Sequence, residues 1–340
     1  MFKKYEIETK VLAPKKFRLK RIKTEIRVDP LTGKTSRITT NRAVGDKIED
    51  ENQTYIQRIK DTEKNCPLCY DNIEKVTPKF PKDICEDGRF TYKNSILFPN
   101  LFPYDRYSAV STFSKSHFIE IGKFSTDDYV DTLINSRQYL RKVFSIENNI
   151  RFSAITQNYL PSSGGTLIHP HLQVNVFTTP TNYLDELLRN SRNYFIANSR
   201  CFWEDLIKTE EEIGERFICK KHGIIWLTPF APRGRKEVWA IFEEASDFRE
   251  IDTEEISLLS KGIVAVQKYY RDMGENSFNL GIYSISGSIS SYRLLFRIVA
   301  RANFSEFYRN DQSYFEVILG ESATDEFPED ISFELKKYFE

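Results

Sequence analysis

Only four histidines occur in the 340 residues, and two of them share the tripeptide His169-Pro170-His171. Side chains at i and i+2 on an extended strand point to the same face, and Pro170 holds the chain extended between them. Just upstream, Ser162-Ser163-Gly164-Gly165-Thr166 gathers small residues and backbone N–H groups where a phosphate could approach. An imidazole beside such a loop is a candidate nucleophile at phosphorus, because neutral imidazole attacks well and leaves well. The competing reading is a buried structural histidine pair.

A second set of residues has the chemistry of a metal site. Cys66-Pro67-Leu68-Cys69 has the knuckle spacing that lets two thiolates reach one zinc, although a CxxC can equally be a redox pair or two core cysteines. Two further ligands are needed. His117 follows an apolar strand, where a strand-end ligand and an exposed loop histidine are both open readings, and His169 is the remaining candidate. Cys66, Cys69, His117 and His169 would close a Cys2His2 tetrahedron, a structural rather than catalytic set. The other chemistry-bearing residues read as bland. His222 sits in a turn, Cys85, Cys201 and Cys219 are scattered, and Trp203, Trp226 and Trp239 suit a core.

These groups need elements to position them. Ser125-Thr126-Asp127-Asp128 is an N-cap with acidic first-turn residues, leading into apolar positions at helical spacing. Phe152 to Ile155 reads as a strand and Pro161 to Gly165 as a tight loop. His171 to Phe177 is a second strand, on which Leu172, Val174 and Val176 alternate with His171, Gln173 and Asn175. The second half echoes the first. Cys66–Cys69 matches Cys201–Glu204, Ile96–Phe102 matches Ile224–Phe230, Thr126-Asp-Asp matches Thr253-Glu-Glu, and His169–Phe177 matches Ser291–Val299. Where the first copy has Cys69, His169, His171 and Gln173, the second has Glu204, Ser291, Arg293 and Leu295, so the chemical groups stay in one copy.

Composition bounds the class. Forty-nine Lys and Arg against 49 Asp and Glu give zero net charge, which argues against a general nucleic-acid or membrane-surface binder. Forty per cent apolar residues and 26 Phe supply a core, five cysteines are too few and odd for a secreted disulfide framework, and no apolar run reaches the ~18 residues of a membrane span. The expectation is a soluble, cytoplasmic protein of two domains or a duplicated fold.

The stretch Ser163-Gly-Gly-Thr-Leu-Ile-His-Pro-His-Leu-Gln173 resembles the signature of the galactose-1-phosphate uridylyltransferases, a branch of the histidine-triad superfamily. Arg27-Val-Asp-Pro-Leu-Thr-Gly33, Arg42-Ala43, Cys66-x-x-Cys69, Asn100, His117 and Asn158 fall in that family's order. The likeness covers residues 25–180 well and the rest only as a degenerate repeat. It implies an α+β chain of two histidine-triad-like pseudo-repeats with antiparallel sheets and flanking helices: a catalytic unit with the zinc site over 1–190 and a degenerate unit over 191–340. His171 would take the nucleotide, one structural zinc would sit on Cys66, Cys69, His117 and His169, and Gln173 would hydrogen-bond a phosphate oxygen. Ser163, Gly164 and Thr166 would contact phosphates, while Arg42, Asn100 and Asn158 would bind phosphate, ribose or base.

The implied activity moves a nucleoside monophosphate, UMP first among them, between a nucleoside diphosphate sugar and a sugar 1-phosphate, within a homodimer and with neither nucleic acid nor membrane as partner. One departure bears on the acceptor. The C-terminal half retains only His222, so a second histidine-based metal site is not expected and galactose is not implied as the sugar. The alternatives are a phosphorylase that uses inorganic phosphate, with Arg293 or Arg297 as its basic pocket, or a zinc-stabilised nucleotide-binding protein without catalysis. One ring nitrogen of His171 must keep its lone pair, so the other is expected to donate to a nearby backbone carbonyl.

Overall fold

The computed structural model describes residues 1–40, 52–287, 289–305 and 310–340. The chain begins with a long hairpin, β1 (Lys3–Ala13) and β2 (Arg18–Val28), then β3 (Thr35–Ile38), α1 (Asn52–Asp61) and the short α2 (Tyr70–Val76). Next come β4 (Phe90–Tyr92), β5 (Ser95–Pro99), β6 (Tyr107–Thr112), α3 (Thr126–Ile146), β7 (Phe152–Tyr159) and β8 (His171–Phe177). Two helices, α4 (Asn182–Asn198) and α5 (Phe202–Ile213), lead to β9 (Phe217–Lys221), β10 (Ile224–Leu227), β11 (Arg235–Phe242), α6 (Thr253–Asp272), β12 (Phe278–Ile285) and β13 (Leu295–Ala300). The chain closes with α7 (Tyr314–Val317), β14 (Ser322–Thr324) and α8 (Pro328–Lys336).

Ten strands form one sheet in the order β4-β5-β6-β8-β7-β12-β13-β11-β10-β9, and a second sheet runs β1-β2-β3-β14. Each half of the ten-stranded sheet has the same plan. Its first three strands meander, a long helix follows, the fifth strand packs beside the third, and the fourth faces the midline, where β7 pairs antiparallel with β12. The two long helices open with matching chemistry. Ser125 caps α3 in a capping box with Asp128, and Asp252 caps α6 with Glu255. The strand expected over Phe152–Ile155 runs on to Tyr159, because Gln157 and Tyr159 turn their side chains into the core beneath α3.

Alternation decides which face does what. Leu172, Val174 and Val176 of β8 and Leu280 and Ile282 of β12 enter the core shared with α3 and α6. The opposite face of the second half is covered by α4 and α5 through Leu187, Phe202, Trp203, Trp239 and Tyr292. On the first half the cover is far smaller, with α2 and the Cys66–Cys69 turn before it resting through Ile73, Cys66 and Leu68 against Phe98. Between these covers, one row of side chains crosses the sheet: Val110, Gln173, Thr156, Gly281, Arg297, Trp239, Leu227. No helix among the described residues is long and apolar enough to cross a membrane.

Candidate active site and metal centre

The glycine loop is shaped by one strained residue. Leu160 ends β7 with φ at +69°, unusual for a side chain with a Cβ, and its buried carbonyl then accepts from Ser163 N (3.1 Å), Gly165 N (3.3 Å) and the Ser163 hydroxyl (2.8 Å). Gly164 continues the turn at φ +92°, and a Cβ on Gly165 would stand 3.1 Å from the Leu160 carbonyl oxygen. The loop therefore spends its own donors. The N–H groups of Ser163, Gly164 and Gly165 bond inside the turn, Ser163 is buried, and Gly164 and Thr166 are exposed at its rim. Any phosphate arriving here meets the rim of the turn rather than a nest of free N–H groups.

Beyond the loop, His169 and His171 divide their tasks. Both are buried. The His171 Nδ1–H donates to the His169 carbonyl at 2.8 Å, which leaves Nε2 with the lone pair. Burial holds the His171 imidazole below the usual histidine range, against a raising influence from that hydrogen bond, so the ring is neutral at pH 7. Gln173 follows on the same face, half-buried, with its amide unpartnered among the described residues. Continuing the β7–β8 register places Asn158 across from His171.

Four other side chains converge behind that strand. The ligand atoms of Cys66, Cys69, His117 and His169 lie within 4.8 Å of one another. Cys69 Sγ is 3.3 Å from His117 Nδ1 and 3.6 Å from His169 Nδ1. The far ring nitrogens are already committed: His169 Nε2–H donates to the Ser114 carbonyl (3.0 Å), and His117 Nε2 lies 3.2 Å from the Ile59 carbonyl and 2.9 Å from the Thr62 hydroxyl. Outer carbonyls that fix the tautomer and leave both Nδ1 atoms facing two sulfurs are how metal-ligating histidines are normally held. Burial lowers His169 to about 4, which keeps it in the neutral form a metal needs, while burial and the neighbouring Cys66 sulfur push the Cys69 thiol up to about 12. The donor set fits a tetrahedral metal ion.

The remaining expected residues are placed as follows. Asn100 follows β5, its side chain accepting from Phe102 N in a local turn at 3.1 Å. Asn158 joins the loop directly, donating to the Gly164 carbonyl at 3.4 Å. Arg42 lies outside the described residues. His222 is exposed in the β9–β10 turn, and Trp203, Trp226 and Trp239 are core residues. Arg293 and Arg297, the candidate phosphate-binding cations, are each held by a carboxylate, Glu204 and Glu237 respectively. A cavity lined by Asp29 and Tyr183 together with Trp203, Glu210, Phe230 and Trp239 of the second half includes none of the candidate residues.

One contributor is new. Asn279 of β12 pairs with Asn158 across the midline and donates to Asn158 Oδ1 (2.7 Å) and to the Ser163 carbonyl (3.0 Å). Arg301 in turn donates to Asn279 and is fixed by Asp311. The second half thus props the loop of the first. The signal in the sequence was the repeat itself, since the midline strands of a duplicated sheet must face each other.

No family model matches the chain. An uncharacterised protein of Archaeoglobus fulgidus is 29% identical over 313 residues, 92% of each chain. Among solved structures, an ADP-glucose phosphorylase of Arabidopsis thaliana with bound ADP-glucose superposes with a TM-score of 0.71 at 17% identity, covering 92% of this chain and 99% of that one. A uridylyltransferase superposes at 0.67 with 17% identity over 92% and 98%. The chain has the uridylyltransferase fold. The architecture expected from the motifs is thus matched: an α+β chain with antiparallel sheets and flanking helices.

Proposed function

We propose that the chain is a nucleotidyltransferase that moves a nucleoside monophosphate, UMP first among the candidates, between a nucleoside diphosphate sugar and a sugar 1-phosphate. The observation that carries this is the buried, neutral His171 ring, its Nδ1–H committed to a backbone carbonyl and its Nε2 free. Nε2 attacks the α-phosphorus, a nitrogen–phosphorus bond forms, and the bridging phosphorus–oxygen bond breaks with its electron pair leaving on the sugar phosphate. An oxygen of the acceptor phosphate then attacks the same phosphorus, and the imidazole recovers its lone pair. No proton need be supplied from outside. Gln173 donates to a non-bridging oxygen as charge builds there. Thr166 and Gly164 at the loop rim, with Ser163, Asn158, Asn100 and Arg42, are the proposed nucleotide contacts.

Zinc, one ion per chain, is the metal we propose for Cys66, Cys69, His117 and His169, where it would act as a brace without an open coordination position. Its benefit to catalysis would be indirect, because the His169 backbone carbonyl orients the His171 ring. The working units are 1–190 and 191–340, a catalytic and a supporting histidine-triad-like unit, paired in a cytoplasmic homodimer.

The acceptor separates this reading from a phosphorylase. Inorganic phosphate at Arg293 or Arg297 would have to displace Glu204 or Glu237, so a sugar 1-phosphate acceptor is favoured. The test is to incubate the protein with UDP- and ADP-glucose labelled in the α-phosphate and map the adduct. Acid-labile label on His171 that hexose 1-phosphate discharges supports the reading. Discharge by inorganic phosphate alone selects the phosphorylase, and label on another residue rejects the mechanism.

A further inference from the structure

The hairpin formed by β1 and β2 leaves the body of the protein. Every residue of β1 up to Leu12 is exposed, and β2 returns to the fold only where Glu25–Val28 pair with β3. Its two faces differ in kind. One carries Lys4, Glu6 and Glu8 opposite Arg27, Glu25 and Lys23, with ion pairs Lys4–Glu25, Lys23–Glu6 and Arg21–Glu8, and is apolar only at the Leu12–Leu19 pair near the tip. The other carries Tyr5, Ile7, Thr9 and Val11, paired with Ile26, Thr24, Ile22 and Lys20. Tyr5 and Ile7 remain 52% and 43% exposed, so beyond the buried Ile26 at its root this face is uncovered. A two-stranded ribbon is marginal in water without a surface to pack on.

Charge identifies what that surface is. Residues 1–28 hold ten Lys and Arg against three Glu, net +7, and the neutral chain therefore leaves −7 on residues 29–340. Lys10, Lys15, Lys16, Arg18 and Lys20, around the tip, have no acidic partner among the described residues. Phe17 stands at that tip, 71% exposed and at φ +46°. The root is rigid by contrast. Arg27 is buried, pairs with Glu25 and Glu329, and stacks on Phe230.

We propose that the hairpin is an exchanged arm, laid by its apolar side on the acidic body of a second copy of this chain. The proposal rests on the homodimer put forward above and names the element that makes it. Area supports exchange over arm-to-arm contact. An exposed ribbon ~35 Å long and ~10 Å wide offers about 350 Å² on one side. Two arms stacked on each other would bury about 700 Å² in total, too little for a stable pair, and like charges would face each other. Two arms each laid on the other body would bury about 1,400 Å², within the ordinary range. A polyanion is the poorer occupant, because this side carries cations only at its ends, Lys3, Lys20 and Arg18, with Tyr5, Ile7, Thr9, Thr24 and Ile22 uncharged between them, and the body repels negative charge.

Light scattering on the full chain tests this, with folding checked by circular dichroism and metal content. Wild type should be a dimer. The double variant Ile7→Lys, Val11→Lys should be monomeric, and Lys15→Glu, Lys16→Glu, Arg18→Glu should raise the dimer dissociation constant at least about tenfold. Wild-type dimerisation should weaken between about 50 and 500 mM salt, and the tip variant should lose most of that dependence. A wild-type monomer would overturn both the homodimer and the arm. A dimer unchanged in both variants would overturn the arm alone. Tip-dependent binding of phosphatidylserine vesicles or of duplex DNA, with the dimer unaffected, would replace the second copy with a polyanion.

Discussion

The two halves of the ten-stranded sheet share a strand order and differ in how their outer face is closed. In the second half, α4 and α5 bury Trp203, Phe202, Trp239 and Tyr292, and an apolar layer of that size holds by itself. In the first half, the seven-residue α2 and the turn before it bury only Cys66, Leu68 and Ile73 against Phe98, with Ile96, Val110 and Leu167 partly buried beside them, a small cluster to fix a helix. The Cys2His2 group sits where that apolar layer runs out. One copy is closed by side-chain volume and the other by a small cluster beside a Cys2His2 group that could hold a metal, and only the second solution leaves the neighbouring face open for polar work. The same division reaches the midline, where Asn158 and the loop belong to one copy and the supporting Asn279 to the other.

This contrast can be broken most visibly at the aligned strands. His171→Ala should lower nucleotidyl transfer at least about 1,000-fold while nucleotide binding persists. Arg293→Ala at the matching place, where the partners lost are the exposed Glu204 and the local carbonyls of Ile289, Ser290 and Tyr292, should stay within about twofold, as steady-state rates and equilibrium titration would reveal. The two closures should fail differently. Cys66→Ser should release the metal, measured by elemental analysis, and lower the melting temperature by about 10 °C. Trp203→Ala should cost about 3–5 kcal/mol by denaturant unfolding with full metal retained.

Smaller effects sharpen the picture. Asn279→Ala removes one hydrogen bond to the loop at Ser163 and one to Asn158 beside it and should raise the nucleotide KM about fivefold, about 1 kcal/mol, with kcat little changed. Loss of kcat alone would show that the second half assists chemistry rather than loop position. The subtlest change is at Glu329. Desolvation raises its carboxyl, but hydrogen bonds from Arg27 and Arg216 outweigh it and hold the group below the usual carboxylate range. Such a group stabilises the fold above the unfolded value near 4.5 and loses that contribution as pH falls through its folded value. Glu329→Gln should therefore flatten the acid side of the stability curve while lowering stability at neutral pH, followed by thermal melts from pH 7 downward.

Much of this arrangement was legible because local chemistry and tertiary role agreed. Alternation over His171–Phe177 placed the strand and its faces, and Ser125 and Thr253 marked where both long helices begin. The metal group emerged from scarcity, since with four histidines in the chain few ligand sets exist. What the sequence hid depends on three-dimensional register. Asn279 looks like any strand asparagine until β7 meets β12, and Arg297 reads as a free cation until Glu237 lies beside it. The loop misled in another way. Small residues suggested free N–H groups, yet the positive φ at Leu160 turned its carbonyl inward to take those of Ser163 and Gly165, and the Pro161 carbonyl takes that of Gly164.

The N-terminal sheet is completed by the end of the chain. β14 lies parallel to β3, and the Thr35 hydroxyl donates to Glu321, 286 residues away. Every ligand of the metal group leaves the ribosome well before that last strand. At 5–20 residues per second, β3 must wait about 15–60 s as an unpaired edge. Throughout that interval the basic hairpin hangs from a sheet with no outer strand, and Arg27 lacks Glu329. Premature termination between Ala300 and Ser322 would thus leave the ten strands of the large sheet made and the N-terminal sheet open, a defect felt at the opposite end of the sequence from the missing residues.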